Sequence, residues 1–522
     1  MSSIETLFDR YGPAYRWLAT VTAMISAIAV VLSTTIVNVA IPGIMGAFGI
    51  GQIDAQWIST GFLAAMTATM LLADWADRAF GLRASMIAAL ATFAAGSVLG
   101  ALAPNETVLT LARIVQGAAT GVVQPLAMIL MFRVFPPNRR GSAMGIFGVG
   151  VVIAPALGPW IGGVLIDAFN WRYVFVLGVP FAALAILLAN FLLPGREQRG
   201  PRPGFDWPGL VLLCGFLGLV LSALSNGQRH GWSSDPILLQ FALSGLAFAG
   251  FVGWELVTPK PILDMRLFSI LPFAAASVVS FVLGAGLFGS LYLLPLFVQT
   301  IQGLTPTQAG LLLMPAGFVL VFIFPIGGRL SDRVPPGIPI AIGLTTFALA
   351  TLPTYWIDVD TGFEMLALWT AVSRVGMGLI FPSLTTGSLR VLSRELLAQG
   401  SGAINFVRQL GGAFGVNLLA ILLERRTMMH ADAFTASQTA GNAATTHFLD
   451  RVVELVRAAG LPEFQQMPAA LGYLGQVVAI QANTLAFRDG FLIVTAIFIA
   501  ALAPTWVLYR ATRDGPGAPA AR

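Results

Sequence analysis

Charge is what this sequence has least of. Charged side chains make up 10% of the 522 residues and hydrophobic ones 57%, whereas a soluble domain carries about a quarter charged residues. With a mean hydropathy of +0.82, a water-soluble core is excluded. Apolar runs recur along the whole length, and many approach the roughly 20 residues that span a hydrocarbon layer, so the chain is a polytopic membrane protein. Cysteine is almost absent: Cys214 stands alone in an apolar run, which excludes an intrachain disulfide. The three histidines, His230, His430 and His447, are scattered in polar connections without ligand spacing, which speaks against a metal site. No acidic pair, Ser-His arrangement or His/Asp cluster sits within the apolar runs, which argues against an intramembrane enzyme. No cofactor is implied. The net charge of +5 comes from basic residues lying singly or in short groups between apolar runs. Membrane topology accounts for them, and nucleic acid does not.

What is there reads as fourteen spans. The first, 17–41, is too long for a secretory signal and lacks a small-residue cleavage pattern, so it stays in the membrane. An even number puts both termini on one side, and most of the 29 basic residues lie in connections on that side, which makes both termini cytoplasmic. The expected class is an all-α polytopic membrane protein of two six-helix bundles plus two inserted helices, 14 transmembrane helices in all. The layout is a cytoplasmic segment 1–16, a bundle 17–194, an inserted pair with its connecting loops 195–269, a second bundle 270–510 with a long external loop 425–487, and a cytoplasmic tail 511–522. That loop contains an amphipathic helix around FLDRVVELVRAAG, suited to a lid or a docking surface, with a solvated loop as the alternative.

Internal repeats support the two bundles. DRAFGLR, with Asp77 and Arg78, follows the second span and GGRLSDRV, with Asp332 and Arg333, follows the tenth. Arg113 in RIVQGAATGVVQP lies within the fourth span as Arg374 in RVGMGLIFP lies within the twelfth. GSAMGIF opens the fifth span and GSGAINF the thirteenth. The three offsets are nearly equal, provided the seventh and eighth spans are an insertion. Two related bundles around a cavity, rocking to give alternating access, are the implied architecture.

Three arginines fall inside spans, where an isolated one costs about 2.5–3.5 kcal/mol on insertion scales. In the fourth span Arg113, Gln116, Thr120 and Gln124 share one helical face. Snorkelling would explain Arg113 alone, but a polar stripe continuing to Gln124 argues for a wet cavity. Gly117, Gly121 and Pro125 form a small-residue stripe beside it. In the thirteenth span Ser401, Asn405, Arg408 and Gly412 share a face. Arg408 facing backbone carbonyls between helices is the alternative there. Arg374 shares a face with Thr370 and Thr385. In the first span Ser33, Thr34, Thr35 and Asn38 interrupt the apolar run, and Thr34 and Asn38 stand one turn apart, as a transport path would have them. Phe281, Phe288, Tyr292 and Gln299 in the ninth span give an aromatic stripe that serves either packing or a substrate cavity. A lining role would suit flat lipophilic compounds, with cation-π attraction for positive ones. In the fifth span APALGPWIGG brings together Pro155, Gly158, Pro159, Gly162 and Gly163, the composition of a kinked, closely packed hinge. Asp74, Asp77, Arg78, Gly81 and Arg83, with Asp332 and Arg333 in the second half, can form charge pairs that stabilise one facing state.

Several of these residues resemble the major facilitator superfamily, in particular its fourteen-span drug:proton antiporter family of the EmrB/QacA type. TTIVNVAIP, ARIVQGAATGVVQP, APALGPWIGG, WRYVF, FVRQLGGAFG and QANTLAFRDGF are similar to that family's signatures in order and spacing. The resemblance implies a small-molecule substrate, protons as the coupling ion through Arg113, a conformational role for the APALGPWIGG segment, a bacterial inner-membrane location and a periplasmic adaptor protein as partner. Two positions depart from the pattern. Ser33 stands where resembling antiporters usually carry an acidic residue, and Asp74 where a glycine is common, with an extra residue in DRAFG. A serine cannot carry a proton by titrating near neutral pH, so the acid must lie elsewhere, with Asp74 and Asp489 as candidates near span ends.

The function expected from this is secondary active, proton-coupled efflux of lipophilic small molecules or drugs by alternating access. The alternative is an exporter of anionic or amphipathic metabolites or lipids with a different coupling mode, motivated by three intramembrane arginines without a mid-span carboxylate. A channel fits the two-half hinge pattern less well than alternating access.

Overall fold

The computed structural model describes residues 4–50, 52–136, 139–196, 204–393, 396–439 and 441–513. All regular structure in them is helical, as it must be where hydrocarbon offers backbone N–H and C=O groups no partner outside their own helix. We number the long helices α1 (Tyr15–Phe48), α2 (Gln52–Thr69), α3 (Leu82–Ala101), α4 (Glu106–Val134), α5 (Arg140–Ala168) and α6 (Gly178–Leu192) in the first half. Then come the inserted pair α7 (Trp207–His230) and α8 (Asp235–Val257), and in the second half α9 (Leu271–Thr300), α10 (Pro306–Arg333), α11 (Gly337–Thr351), α12 (Phe363–Arg390), α13 (Leu397–Ser437) and α14 (Glu463–Ala500).

Among the described residues, 12 helical segments are long and apolar enough to cross a membrane. A thirteenth is α2 continued by the short helix Leu72–Phe80, the two bent by 55°. The expected count of fourteen is therefore not reached there. The remaining expected span falls on α5, a helix of 29 residues, some of whose side chains lie outside the described set. The long external loop also differs from expectation. Helix α13 continues to Ser437 over 41 residues and α14 starts at Glu463, with a helix Ala443–Ala458 between them in sequence and packed against α14. The helix expected around FLDRVVELVRAAG is present as Ala443–Ala458, and most of the rest of 425–487 is helical too, as extensions of α13 and α14 that form a hairpin.

The repeat is visible in which helices touch. In the first half α1 packs on α4, α5 and α6, α2 on α4, and α3 on α4 and α6; in the second α9 packs on α12, α13 and α14, α10 on α12, and α11 on α12 and α14. Each pairing in one half recurs in the other, eight helices on. The halves meet along two seams, α5 against α10 and α2 against α13. The inserted pair packs its two helices together and lays α7 against α2 and α13 at the second seam, where Leu221 and Leu224 meet Ala413.

Glycine sets the closest approaches. A Cβ on Gly117 or Gly121 of α4 would come within 2.2 Å of the carbonyl oxygens of Phe62 and Met66 on α2, so the small-residue stripe expected in this span does bring two backbones together. Both chain ends lie at one end of the bundle: the Tyr15 hydroxyl donates to the Leu192 carbonyl, and Gly337, just after α10, abuts Tyr509. We call this the terminus-bearing end.

Candidate functional site

Between the halves lies a cavity of about 110 Å³ with walls from α1, α2, α4 and α5 on one side and α9, α10, α12 and α13 on the other. Most of its lining is apolar, from residues such as Val31, Leu287, Leu313 and Phe324. Its polar groups are Thr34, Thr35, Gln124, Arg374, Arg408 and Gln409. None of the described residues lining it is acidic.

The three intramembrane arginines occupy different settings. Arg408 is 7% exposed, lies on the cavity wall, and places its guanidinium carbon 4.4 Å from the centre of the Phe381 ring. No hydrogen bond or ion pair from it to another described residue is present, so its donors are free towards the cavity. Arg374, also on the wall, donates to the Ser290 hydroxyl at 3.0 Å and to the Met377 sulfur at 2.9 Å.

Arg113 departs from expectation. It is buried inside the first half and does not line the cavity. Its guanidinium donates to the Ser33 hydroxyl at 2.9 Å, the Ser33 carbonyl at 3.2 Å, the Gln116 amide oxygen at 3.0 Å and the Ile58 carbonyl at 3.3 Å. The Phe62 ring lies beneath it at 4.0 Å. Gln116 passes the chain on to the Ser97 hydroxyl at 2.8 Å, and Thr120 donates back to the Gln116 carbonyl. The polar stripe of α4 therefore divides: Gln124 reaches the cavity, while Arg113, Gln116 and Thr120 fill the seam between α1, α2, α3 and α4. A buried guanidinium needs hydrogen-bond acceptors, and α1, α2 and its own helix supply them here to Nε and Nη1.

The remaining expected cavity residues divide likewise. Thr34 lines the cavity and Ser33 does not; the Asn38 side chain lies outside the described residues. Asn405 is buried against Met128 of α4, across the seam, and donates to the Ser401 carbonyl. Of the three aromatics only Phe288 lines the cavity. Phe281 packs by Phe414 and Tyr292 joins the second-half core, so the stripe is mainly packing: it lies to one side of the face of α9 that carries the lining residues Leu283, Leu287 and Leu291. Thr35, one of the polar residues of the first span, joins Thr34 on the wall, while sequence reading missed Gln409, Phe62 and Ser290. The last was findable, since Ser290 stands to Arg374 as Ser33 stands to Arg113.

At the terminus-bearing end the charges pair differently from expectation. Asp74 pairs with Arg78 one turn on, and Asp77 pairs with Arg133 of α4. Arg83 donates to the Leu193 carbonyl, and Gly81 takes φ +86°, a left-handed turn that suits glycine. Across the halves, the Asp332 carboxylate accepts from the Ser142 amide at 2.9 Å and its hydroxyl at 2.8 Å. Arg333 is exposed. In the hinge segment Gly158 and Gly162 admit Thr35 and Ile36 of α1, and Gly163 faces Thr307 of α10. The Pro155 and Pro159 side chains lie outside the described residues. Asp489, a candidate acid, bonds His430 at 3.0 Å in the hairpin, away from the cavity.

Two repeated bundles with an enclosed cavity at their junction define a secondary transporter fold. The family model of the Major Facilitator Superfamily matches residues 23–416, and the chain belongs to that superfamily. Among its relatives, a multidrug resistance protein B homolog of Mycobacterium tuberculosis (strain ATCC 25618 / H37Rv) is 32% identical over 75% of this chain and 73% of its own. The multidrug export protein EmrB of Escherichia coli (strain K12) is 28% identical over 91% and 92%, and the fatty acid resistance protein FarB of Neisseria gonorrhoeae is 28% identical over 97% and 98%. The fold is also that of the proton:xylose symporter XylE, with a TM-score of 0.57 at 13% identity, covering 95% of this chain and 96% of that one.

Proposed function

We propose that this protein exports lipophilic small molecules from the cytoplasm by alternating access, coupled to protons, and that it favours molecules bearing a negative charge over cations. The observation that carries the reading is Arg408: a buried guanidinium on the wall of an apolar cavity, with a second arginine on the same wall and, among the described residues, neither a hydrogen-bond acceptor for Arg408 nor a carboxylate in the lining. A carboxylate headgroup would complete the donors that the protein leaves unmet, while the apolar walls accept its hydrocarbon part. A cation would meet two like charges there. The names of the relatives, two multidrug proteins and a fatty acid resistance protein, agree with lipophilic cargo. In this reading the terminus-bearing end is cytoplasmic, by the distribution of its basic residues, and the membrane is a bacterial inner membrane. The helical hairpin at the far end is the surface available to a periplasmic adaptor protein.

The test is transport in proteoliposomes under an imposed pH gradient, with a medium-chain carboxylate, its neutral ester and a quaternary ammonium of the same chain length. Gradient-driven movement of the carboxylate in preference to the ammonium supports the reading. Preferential transport of the ammonium counts against it.

A further inference from the structure

The cavity between the halves offers no acid to carry a proton, but a second place in the molecule does. Asp206 and Glu255, on the inserted pair at the terminus-bearing end, are both buried, at 7% and 3% exposure. Asp206 caps α7: its Oδ1 accepts from the Gly209 amide at 3.0 Å and from the Trp254 indole at 2.7 Å. Glu255, on α8, accepts from the Leu263 amide through Oε2 at 3.2 Å. The other oxygen of each carboxyl, Asp206 Oδ2 and Glu255 Oε1, has no hydrogen-bond partner. These two orphaned oxygens converge. A Cβ built on Gly209 would lie 2.5 Å from one and 2.6 Å from the other, so they flank a single point in the space that the missing side chain leaves.

Two carboxylates this close, buried and without a paired cation among the described residues, cannot both stay ionised. One proton placed between Oδ2 and Oε1 would satisfy both, as a donor from one carboxyl and an acceptor on the other. We propose that Asp206 and Glu255 share a single proton and form a protonation site of the inserted helix pair.

The surroundings fit a site that exchanges its proton with the aqueous side. Asp206 lies on the wall of a polar cavity of about 170 Å³ with Asp74, Trp75, Arg78, Lys260 and Gln399. That cavity collects the gate segment after α2, the entry to and exit from the inserted pair, and the start of α13. Among the described residues, the titratable and charged groups facing the pair are Asp74 and Arg78, which pair with each other, and Lys260, whose Nζ lies 3.5 Å from where a Cβ on Gly204 would sit. No ion pair joins Lys260 to either carboxyl among the described residues. Loss of the shared proton would set two negative charges against each other and push Glu255 away from Asp206. The Leu263 amide would lose its anchor, and the connection from α8 to α9 would loosen. The site thus lies where protonation would bear on the second half without touching the transported molecule.

The test is infrared spectroscopy of the full chain in lipid nanodiscs near neutral pH, in H2O and D2O, compared with Glu255→Gln and Asp206→Asn. The expected result is a neutral-carboxyl C=O stretch in the wild type that shifts in D2O and is lost in both single variants. A spectrum unchanged in both variants would overturn the proposal. So would removal of the band by sodium at constant pH, which would mark a metal-cation site instead. Hydrogen exchange supplies a second readout that does not rely on the variants' stability. Raising the pH should speed exchange around 258–265 in the wild type beyond the intrinsic rate, and pH-independent protection there would contradict a shared proton. Neither readout uses transport, so failure of this proposal is separable from failure of the export reading.

Discussion

The Arg113 guanidinium of α4 donates to the Ser33 hydroxyl of α1 at 2.9 Å, and the Arg374 guanidinium of α12 donates to the Ser290 hydroxyl of α9 at 3.0 Å. The two contacts join equivalent helices of the two halves. Each arginine also donates to the residue three positions on, Gln116 in one case and Met377 in the other. The pair is thus duplicated, with one copy sealed inside a bundle and the other opening on the cavity.

In the sealed copy, the positive charge has hydrogen-bond acceptors but no counter-charge. A hydrogen bond to a charged group contributes about 1.5–3 kcal/mol, so Ser33→Ala should destabilise the protein by about that much. Ser33→Asp should supply the missing charge and raise the melting temperature of the detergent-solubilised protein above that of the wild type. In an Arg113→Met background the same aspartate should destabilise, because it would be buried unpaired. A Ser33→Asp variant that melts below Ser33→Ala in the Arg113 protein would show that position 33 does not support this arginine through its side chain.

Because Arg113 lies off the cavity, its removal should separate binding from movement. Arg113→Met is expected to leave equilibrium binding of substrate within about twofold, a change smaller than 0.5 kcal/mol, while abolishing gradient-driven transport in vesicles. Equal loss of both would place Arg113 in the binding site after all.

The α2/α4 contact rests on absent side chains. Gly117→Ala puts a methyl where the Phe62 carbonyl already stands, and overpacking of this kind costs about 1–3 kcal/mol. Thermal unfolding followed by circular dichroism should show that loss. Gly218, whose added Cβ would meet nothing within 4 Å, serves as the control and should tolerate alanine.

At the terminus-bearing end, Asp332 ties α10 to the start of α5 through Ser142. Asp332→Ala removes both hydrogen bonds and should shift the facing equilibrium by about 1.5–3 kcal/mol towards the state open at that end. Cysteine accessibility in a Cys214→Ser background reads this directly, with faster labelling at that end in Asp332→Ala than in Asp332→Asn. Equal labelling in the two variants would remove Asp332 from the gate.

Much of the architecture was legible because membranes impose it: long apolar runs had to become helices, and the matching positions of Arg113 and Arg374 or Asp77 and Asp332 announced two related halves. The glycines at 117 and 121 likewise stated that another backbone comes close. The site was less legible. Periodicity places Arg113 and Gln124 on one face of α4, but that face passes from a helix seam to the cavity along its length, and only the packing of α1 to α3 says where it changes. The Phe281–Tyr292 stripe left packing and lining both open, and only the packing of the second half places most of it beside the wall of the cavity. Asp206 and Glu255 lie far apart in sequence and meet only because α7 and α8 fold back on each other over Gly209, so no spacing rule could find them. The gate pairings were obscured too, since Asp77 found Arg133 on α4, a residue outside its own motif.

The central claim is that the free guanidinium of Arg408 receives the charged end of a lipophilic anion. Its most direct test is equilibrium binding of a medium-chain carboxylate and of its neutral ester to the purified protein and to Arg408→Gln. Loss of a charge-assisted hydrogen bond in this cavity should weaken the carboxylate about tenfold or more and leave the ester nearly unchanged. Equal affinity of the two proteins for the carboxylate, or equal weakening of both ligands, would contradict the account.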